Sequence, residues 1–158
     1  MENNLSVRAF VLSTLFTIFA CSICAGGNIG RAKTAELKVK SVKINGYVGG
    51  RIDDCISHRV MEQDVDALVE PFRHRNETWR WQSEFWGKWT LGAIETYRYT
   101  GDAALYEKIA ASVGQIIGTQ SPDGYIGNYA PEAQLKDWDI WGRKYTMLGL
   151  LSWFELSG

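Results

Sequence analysis

Two acidic side chains, Glu84 and Asp139, occupy the same position in a motif that the chain contains twice. Residues 84–88 read EFWGK and residues 139–143 read DIWGR, so an acid, a large apolar residue, Trp, Gly and a base recur in order. Hydrolysis of a glycosidic bond requires two carboxyl groups, about 5–5.5 Å apart for retention or about 6.5–9.5 Å for inversion. Each acid also precedes its base by four residues, the spacing of a helical ion pair. We favour this structural role and keep the catalytic pair as the alternative.

The motif predicts a repeated pair of helices. Its two tryptophans, Trp86 and Trp141, lie 55 residues apart, and each copy opens an apolar run that ends at Gly101 or Gly158. Repeats of this length are typical of stacked helical hairpins. The glycine after each tryptophan costs about 1 kcal/mol in a helix relative to alanine. Its presence in both copies indicates close packing against either a neighbouring backbone or a ligand.

The rest of the sequence predicts a short β segment followed mostly by helices. Residues 37–44 alternate apolar and basic side chains, the pattern of a half-exposed strand, and the pairs 45–46 and 49–50 predict turns. Helical spacing and end signals predict four helices: 56–70 ended by Pro71, Ser83 to Tyr99, Asp102 to 118 with Ser112 on the polar face, and Asp139 onward. Between the last two, Ser121–Gly124 predicts a turn and Tyr125–Tyr129 an extended piece.

The composition limits the partners. A net charge of −1 gives no reason to expect binding to nucleic acid or an anionic membrane surface. Tryptophan is the outlier, with seven copies, of which Trp79, Trp81, Trp86 and Trp89 fall within eleven residues. Aromatic residues at this density serve either a large core or a surface that stacks on sugar rings, and we favour the core. Cys55 is the one cysteine of the predicted mature domain, and we expect a buried thiol.

The N-terminus has the features of an export signal. Residues 9–20 form an apolar run that is too short to span a bilayer and typical of a secretory leader. A segment that ends at Cys21 also resembles a lipobox, so a lipid anchor at that residue is the one membrane contact we expect. We divide the chain into a signal peptide (1–25), a linker (26–36) and one domain (37–158). The protein is expected to be periplasmic, associated with the outer membrane, or extracellular.

Three segments resemble a known family: Trp81–Trp89, Gln120–Tyr129 and Trp138–Tyr145. They are similar to the N-terminal part of glycoside hydrolase family 127-like proteins, the β-L-arabinofuranosidase-like catalytic domains of exported bacterial proteins. The resemblance implies an (α/α)6 toroid of helical hairpins. It also implies a zinc-held cysteine thiolate as nucleophile and a glutamate as acid/base, both beyond residue 158, so zinc is expected only in a full-length protein. At Trp138–Trp141 the chain reads WDIW where many members carry HELY.

Together these features predict a mainly α fold, an incomplete (α/α)6 toroid with a short N-terminal β segment. The chain holds about two of the six implied hairpins, and its last helix lacks a partner. We therefore expect a truncated sequence or completion by another chain. The catalytic residues are unknown, and this portion is expected to hold no metal or cofactor. The candidate substrate-binding residues lie at the two helix starts and on the loop between them: Glu84, Trp86, Tyr125, Asn128, Tyr129 and Asp139.

The predicted function is that of an exported bacterial glycoside hydrolase acting on plant-type or other complex glycans, with β-L-arabinofuranosides among the candidates. This N-terminal portion alone is expected to be inactive. Two alternatives remain open. One is a non-catalytic carbohydrate-binding or assembly module of helical hairpins, and the other is a sugar epimerase or uronyl hydrolase on the same toroid. In every case the expected partner is a carbohydrate.

Overall fold

Helices make up most of residues 42–158, the part of the chain that this computed structural model describes. They are α1 (Gly46–Cys55), which continues as a π-helical segment (Ile56–Met61), α2 (Val65–His74), α3 (Glu84–Thr100), α4 (Ala103–Ile117) and α5 (Asp137–Ser157), with a short 3₁₀ turn at Pro131–Ala133. The mainly α fold predicted from the sequence is confirmed. The predicted signal peptide, the linker and residues 37–41 lie outside the described residues. No helix within 42–158 is long and apolar enough to cross a membrane.

α3 and α4 form the helical hairpin that the repeat predicts. Gly101, with a φ of 70°, ends α3, and Asp102 caps α4 by accepting hydrogen bonds from two backbone amides at 2.8 and 3.1 Å. Trp86, near the start of α3, donates a 2.8 Å hydrogen bond from Nε1 to Oγ of Ser112, near the end of α4. The two helices therefore run antiparallel, as a short connection requires.

α5 returns parallel to α3, and glycines line their contact. A Cβ at Gly142 would overlap with the side chain of Ser83, and a Cβ at Gly87 would overlap with the carbonyl of Tyr145. Gly149, further along α5, faces α3 in the same way. Because the contacts advance in the same direction along both helices, α3 and α5 run parallel. The sequence leaves two explanations open for the motif glycines, a neighbouring backbone or a ligand. In the structure the neighbour is protein at both glycines, and at Gly87 it is backbone.

Alanine at Gly87 is expected to lower the free energy of unfolding by about 1–3 kcal/mol, because the added methyl would push α5 away from α3. The matched control is Gly92→Ala in the same helix, where a Cβ meets nothing within 4 Å. That change should raise stability by about 0.5–1 kcal/mol, since alanine restricts the unfolded chain more than glycine does. Urea denaturation of both variants measures the difference, and equal effects would contradict the close α3–α5 contact.

The core lies between α2, α3 and α4, and α5 packs against one side of it. Its fully or almost fully buried apolar residues are Val69, Phe72, Trp86, Ala93, Ile94, Leu105, Ile109, Val113 and Ile116. Leu150 and Trp153 of α5 pack on this cluster. Met147, Leu148, Leu151 and Phe154 of the same helix are exposed. One side of α5 thus contributes to the core, while the other presents an uncovered apolar face.

The described part of the predicted N-terminal β segment is not a strand. Val42–Ile44 are exposed and have no partner strand within residues 42–158, and a strand needs a neighbour to satisfy its backbone. The turns predicted at 45–46 and 49–50 are also wrong, because α1 begins at the first glycine and includes the second pair. Gly49 is buried, and only its lack of a side chain lets α1 approach the carbonyl of Ile44.

The helix predicted over 56–70 is divided, and Pro71 does not end its second part. The structure has the π-helical segment and then α2, which passes through the proline. The Glu70 carboxylate pairs with Arg73 and with the ring of His74, both at 2.7 Å. The Glu70–Arg73 ion pair and the Glu70–His74 hydrogen bond span the turn that follows the proline and stabilise it.

Two side chains lie on the side of their helix opposite to the prediction. Ser112 is buried on α4 rather than exposed, because its hydroxyl accepts the indole hydrogen bond of Trp86. Cys55 is exposed rather than buried. α1 is a peripheral helix in which Gly49 is the one buried residue, so it offers the thiol no core to enter.

Candidate functional site

Glu84 and Asp139 lie at the starts of the parallel helices α3 and α5. Each forms the ion pair that its spacing predicts, with Lys88 Nζ 2.8 Å from Glu84 Oε1 and Arg143 Nε 2.9 Å from Asp139 Oδ2. Trp141 Nε1 donates a hydrogen bond to the other carboxylate oxygen of Glu84, and this bond joins the two copies of the motif. The helical ion pair that we favoured from the sequence is confirmed for both acids.

Asp139 anchors the loop that precedes α5. Its carboxylate is 1% exposed and accepts hydrogen bonds from the Tyr125 hydroxyl at 2.7 Å, the Leu135 amide at 2.7 Å and the Arg143 guanidinium at 2.9 Å. Leu135 has a φ of 62°, a left-handed conformation that is costly for a branched side chain. The bond to Asp139 therefore holds a strained residue in place. Because both carboxylate oxygens are engaged, this acid is arranged to hold structure rather than to exchange a proton.

The loop between α4 and α5 is fixed by its own tyrosines. The predicted turn at Ser121–Gly124 is confirmed by the 2.8 Å bond from the Gly124 amide to the Ser121 carbonyl. The Tyr125 hydroxyl accepts a hydrogen bond from the Tyr129 amide at 3.0 Å, while the Tyr129 hydroxyl donates to the Arg80 carbonyl at 2.8 Å. Both rings are buried. These two candidate residues thus lock the loop against the segment before α3.

Both loop tyrosines are expected to stay protonated well above their ordinary pKa. Burial, followed by the hydrogen bond to Asp139, raises the pKa of Tyr125. Burial, followed by the nearby charge of Glu77, raises the pKa of Tyr129 to about 12. A pKa raised by folding means that the neutral phenol is favoured in the native state. The stability that it contributes is complete below about pH 10 and is lost as pH rises toward about 12.

Alkaline titration is therefore expected to unfold the protein in that interval. Phenolate absorbance should show the two buried tyrosines, Tyr125 and Tyr129, ionising together with loss of helical circular dichroism. Tyr129→Phe removes one ionisable group and should move the unfolding transition to higher pH. Ionisation of all seven tyrosines in one step with helicity intact would contradict this prediction.

Asn128 lies between the two tyrosines and is 1% exposed. Its backbone carbonyl accepts a 3.1 Å hydrogen bond from the Glu77 amide, and the Ala130 amide donates to the Glu77 carbonyl at 2.9 Å. Its side chain behaves differently, because neither the amide nitrogen nor the amide oxygen has a hydrogen-bonding partner within residues 42–158. Buried polar groups are paired in the great majority of cases, so this amide is an exception that needs an explanation.

Trp86, the remaining candidate, belongs to the core. Its ring is 0% exposed, and its indole nitrogen is used by Ser112. A ligand on the protein surface has no access to it. Trp86 therefore has the core role that we favoured for the tryptophans from the sequence.

Three other tryptophans and a tyrosine form an aromatic row near the helix starts. The row consists of Trp81, Trp138, Trp141 and Tyr145, with successive ring centroids 5.8, 6.1 and 5.4 Å apart. The first three of these side chains are among the exposed large hydrophobic residues. Sequence reasoning did not select the row as a site, although residues 138, 141 and 145 have the i, i+3, i+7 spacing that places side chains on one helix face.

A cleft of about 730 Å³ opens beside this row, and we call it the aromatic cleft. Its lining comes from the first two turns of α5: Asp137, Trp138, Ile140, Trp141 and Lys144. The Lys144 ammonium lies 3.4 Å from the ring centroid of Trp141, and the Lys88 ammonium lies 4.9 Å from that of Tyr145. Cations placed over aromatic rings are attracted by the ring quadrupole. The cleft therefore combines flat apolar surfaces with the positive charge of Lys144.

The described residues contain no group of three or more His, Cys, Asp or Glu side chains that could hold a metal ion. His58 pairs locally with Glu62 at 3.3 Å, and His74 pairs with Glu70 at 2.7 Å. Both histidines are thus locally bonded. The expectation of zinc concerns residues beyond 158.

Comparison with known proteins gives no match among family models, curated proteins or solved structures. The class that the structure itself defines is a mainly α protein in which α3 and α4 form a helical hairpin and α5 packs parallel to α3. Any function has to be argued from the aromatic cleft, the two helix starts and the loop between them.

Proposed function

We propose that this chain is the N-terminal part of an exported glycoside hydrolase of the α/α-toroid type. Its substrates are complex plant-type glycans, with β-L-arabinofuranosides among the candidates. The observation that carries the proposal is the exposed aromatic row beside two parallel helix starts. Aromatic rings stack on the apolar faces of sugar rings, and the row and the aromatic cleft present several of them side by side.

The arrangement of the helices supports the toroid. A ring of paired helices needs the first helix of each hairpin to lie parallel to the first helix of the next one. α3 and α5 have this relation, and α4 runs antiparallel to α3. Met147, Leu148, Leu151 and Phe154 of α5 are exposed, and a further hairpin in the proposed ring would cover them. The nucleophile, acid/base and zinc of the proposed enzyme belong to residues beyond 158.

A second candidate function is a non-catalytic carbohydrate-binding module. The specific observation in its favour is that the two acids at the helix starts are already engaged. Glu84 is paired with Lys88 and bonded to Trp141, and Asp139 accepts three hydrogen bonds. Under this alternative the aromatic cleft binds glycan without cleaving it.

Glycan binding at the aromatic cleft can be tested with Trp138→Ala. The variant is expected to weaken retention on arabinan in affinity electrophoresis by roughly tenfold, since an aromatic contact is worth up to about 1.5 kcal/mol beyond its buried area. The matched control is Trp79→Ala, because Trp79 is also exposed, at 60%, but lies outside the aromatic row. Equal retention of the two variants, or no retention of the wild type, would contradict the proposal.

A further inference from the structure

A second cavity, of about 350 Å³, lies beside the C-terminal half of α2 and shares no lining residue with the aromatic cleft. Ala67 and Pro71 form an apolar patch in its wall. The polar part of the lining consists of Glu70, His74, Asn76, Glu77, Gln82 and Asn128. We call it the Asn128 cavity, because the residue with the unpaired amide is one of those that line it.

The unpaired amide of Asn128 is the observation that points to a ligand. A side-chain amide can donate two hydrogen bonds and accept two, and here none is made within residues 42–158. Leaving such a group buried and unpaired destabilises a fold. The backbone bonds at this position, with Glu77 and from Ala130 to Glu77, need no particular side chain. The fold therefore gains nothing from an amide at residue 128. A ligand in the cavity would gain hydrogen bonds from it.

The lining also indicates what kind of ligand fits. Two carboxylates line the cavity: Glu70 pairs with Arg73 at 2.7 Å, and Glu77 Oε1 accepts hydrogen bonds from three backbone amides. They disfavour an anion and can accept hydrogen bonds from hydroxyl groups. Amides at Asn128 and Gln82 each supply a donor and an acceptor, which is what adjacent hydroxyl groups need. Ala67 and Pro71 offer an apolar surface for the face of a ring. A volume near the lower end of small-molecule sites, which begin at about 300 Å³, suits a single ring.

We propose that the Asn128 cavity binds one neutral monosaccharide unit through the side-chain amides of Asn128 and Gln82. The choice of a sugar among neutral polyhydroxylated ligands rests on the proposed carbohydrate function. The site is separate from the aromatic cleft, so the protein holds a glycan at two places. The aromatic cleft stacks on sugar rings, and the Asn128 cavity reads the hydroxyl groups of one ring.

Asn128→Leu tests this proposal, because leucine has a similar shape and no polar group. Because the wild-type amide bonds nothing in the fold, the variant should melt about 3–8 °C above the wild type. Binding of L-arabinose by the 158-residue chain, followed by saturation-transfer NMR, should weaken at least about tenfold. Stability and binding thus move in opposite directions. If the amide stabilised the fold, Asn128→Leu would melt below the wild type instead.

Gln82→Ala provides the second test, with Gln115→Ala on the exposed side of α4 as its matched control. The first should weaken L-arabinose binding, and the second should leave it unchanged. If Asn128→Leu does not fold, this pair decides. Binding of L-arabinose that persists in both Asn128→Leu and Gln82→Ala, a lowered melting temperature in a folded Asn128→Leu, or no binding by the wild type would overturn the proposal.

Trp138→Ala separates this proposal from the proposed function. It should weaken arabinan retention without changing L-arabinose binding at the Asn128 cavity. If Trp138→Ala loses L-arabinose binding and Asn128→Leu keeps it, the sugar binds in the aromatic cleft. That result would overturn the second site and leave the carbohydrate function standing.

Discussion

Asp139→Ala is expected to lower the free energy of unfolding by about 3–5 kcal/mol, the cost of breaking a buried ion pair by removing one partner. The substitution takes away the acceptor of the Tyr125 hydroxyl, the Leu135 amide and the Arg143 guanidinium together. Leu135 would also lose the bond that holds its left-handed backbone. Urea denaturation followed by circular dichroism measures the loss.

Two comparisons identify the cause. Asp139→Asn keeps side-chain oxygen for the neighbouring donors but removes the charge, so it should destabilise less than alanine does. Glu95→Gln removes the acid of an exposed pair with Arg98 at 2.6 Å, and exposed pairs contribute little. If Asp139→Ala folded as stably as Glu95→Gln but lost sugar processing in a full-length protein, Asp139 would be a catalytic acid and its structural role would be refuted.

Trp86→Ala is expected to cost a similar amount, about 3–5 kcal/mol, because it empties the largest fully buried side chain from the core. It also leaves the buried hydroxyl of Ser112 without its partner. A Cβ at Gly149 of α5 would lie 3.0 Å from the Trp86 ring, so the cavity would open at the α3–α5 contact. The measurement is again the free energy of unfolding in urea.

Trp86→Phe helps to separate the two contributions, since it retains most of the side-chain volume and removes the indole N–H that bonds Ser112. Its cost should be about 1–3 kcal/mol. Trp79→Ala, at an exposed position, should change stability by less than about 0.5 kcal/mol. Unchanged unfolding of Trp86→Ala together with lost glycan binding would show that the residue serves a ligand instead of the core.

The helices at the heart of the fold could be predicted because their signals are local. The repeated motif, the Gly101–Asp102 stop and start, and the acid–base spacing are interactions within a few residues of one another. They therefore specify α3, α4 and the start of α5 without knowledge of the rest of the chain. The close packing at Gly87 could also be predicted, because a helix keeps a costly glycine only where a side chain would obstruct a contact.

The errors arose where distant contacts decide the outcome. The pair 49–50 predicts a turn, but the approach of α1 to Ile44 makes Gly49 a packing residue. Pro71 predicts a helix end, but the contacts of Glu70 with Arg73 and His74 span the following turn of α2. Helical spacing predicts a polar face for Ser112, because its partner, Trp86, lies 26 residues away.

The candidate site was only partly accessible from the sequence, for the same reason. The helix-start acids and the loop tyrosines stand out by type and by position in the motif. The unpaired amide of Asn128 is invisible in a sequence, because pairing is a property of the neighbours and not of the residue. The aromatic row depends on the parallel arrangement that brings Trp81 next to the first turns of α5.

Both motif glycines, Gly87 and Gly142, lie in the contact between α3 and α5, so the two parallel helices meet through equivalent sides. A contact between equivalent sides uses that surface on both partners and is complete with two members. The uncovered α5 side chains, Met147, Leu151 and Phe154 among them, are exposed on another side of the helix. A partner that covered them would therefore need a second kind of joint.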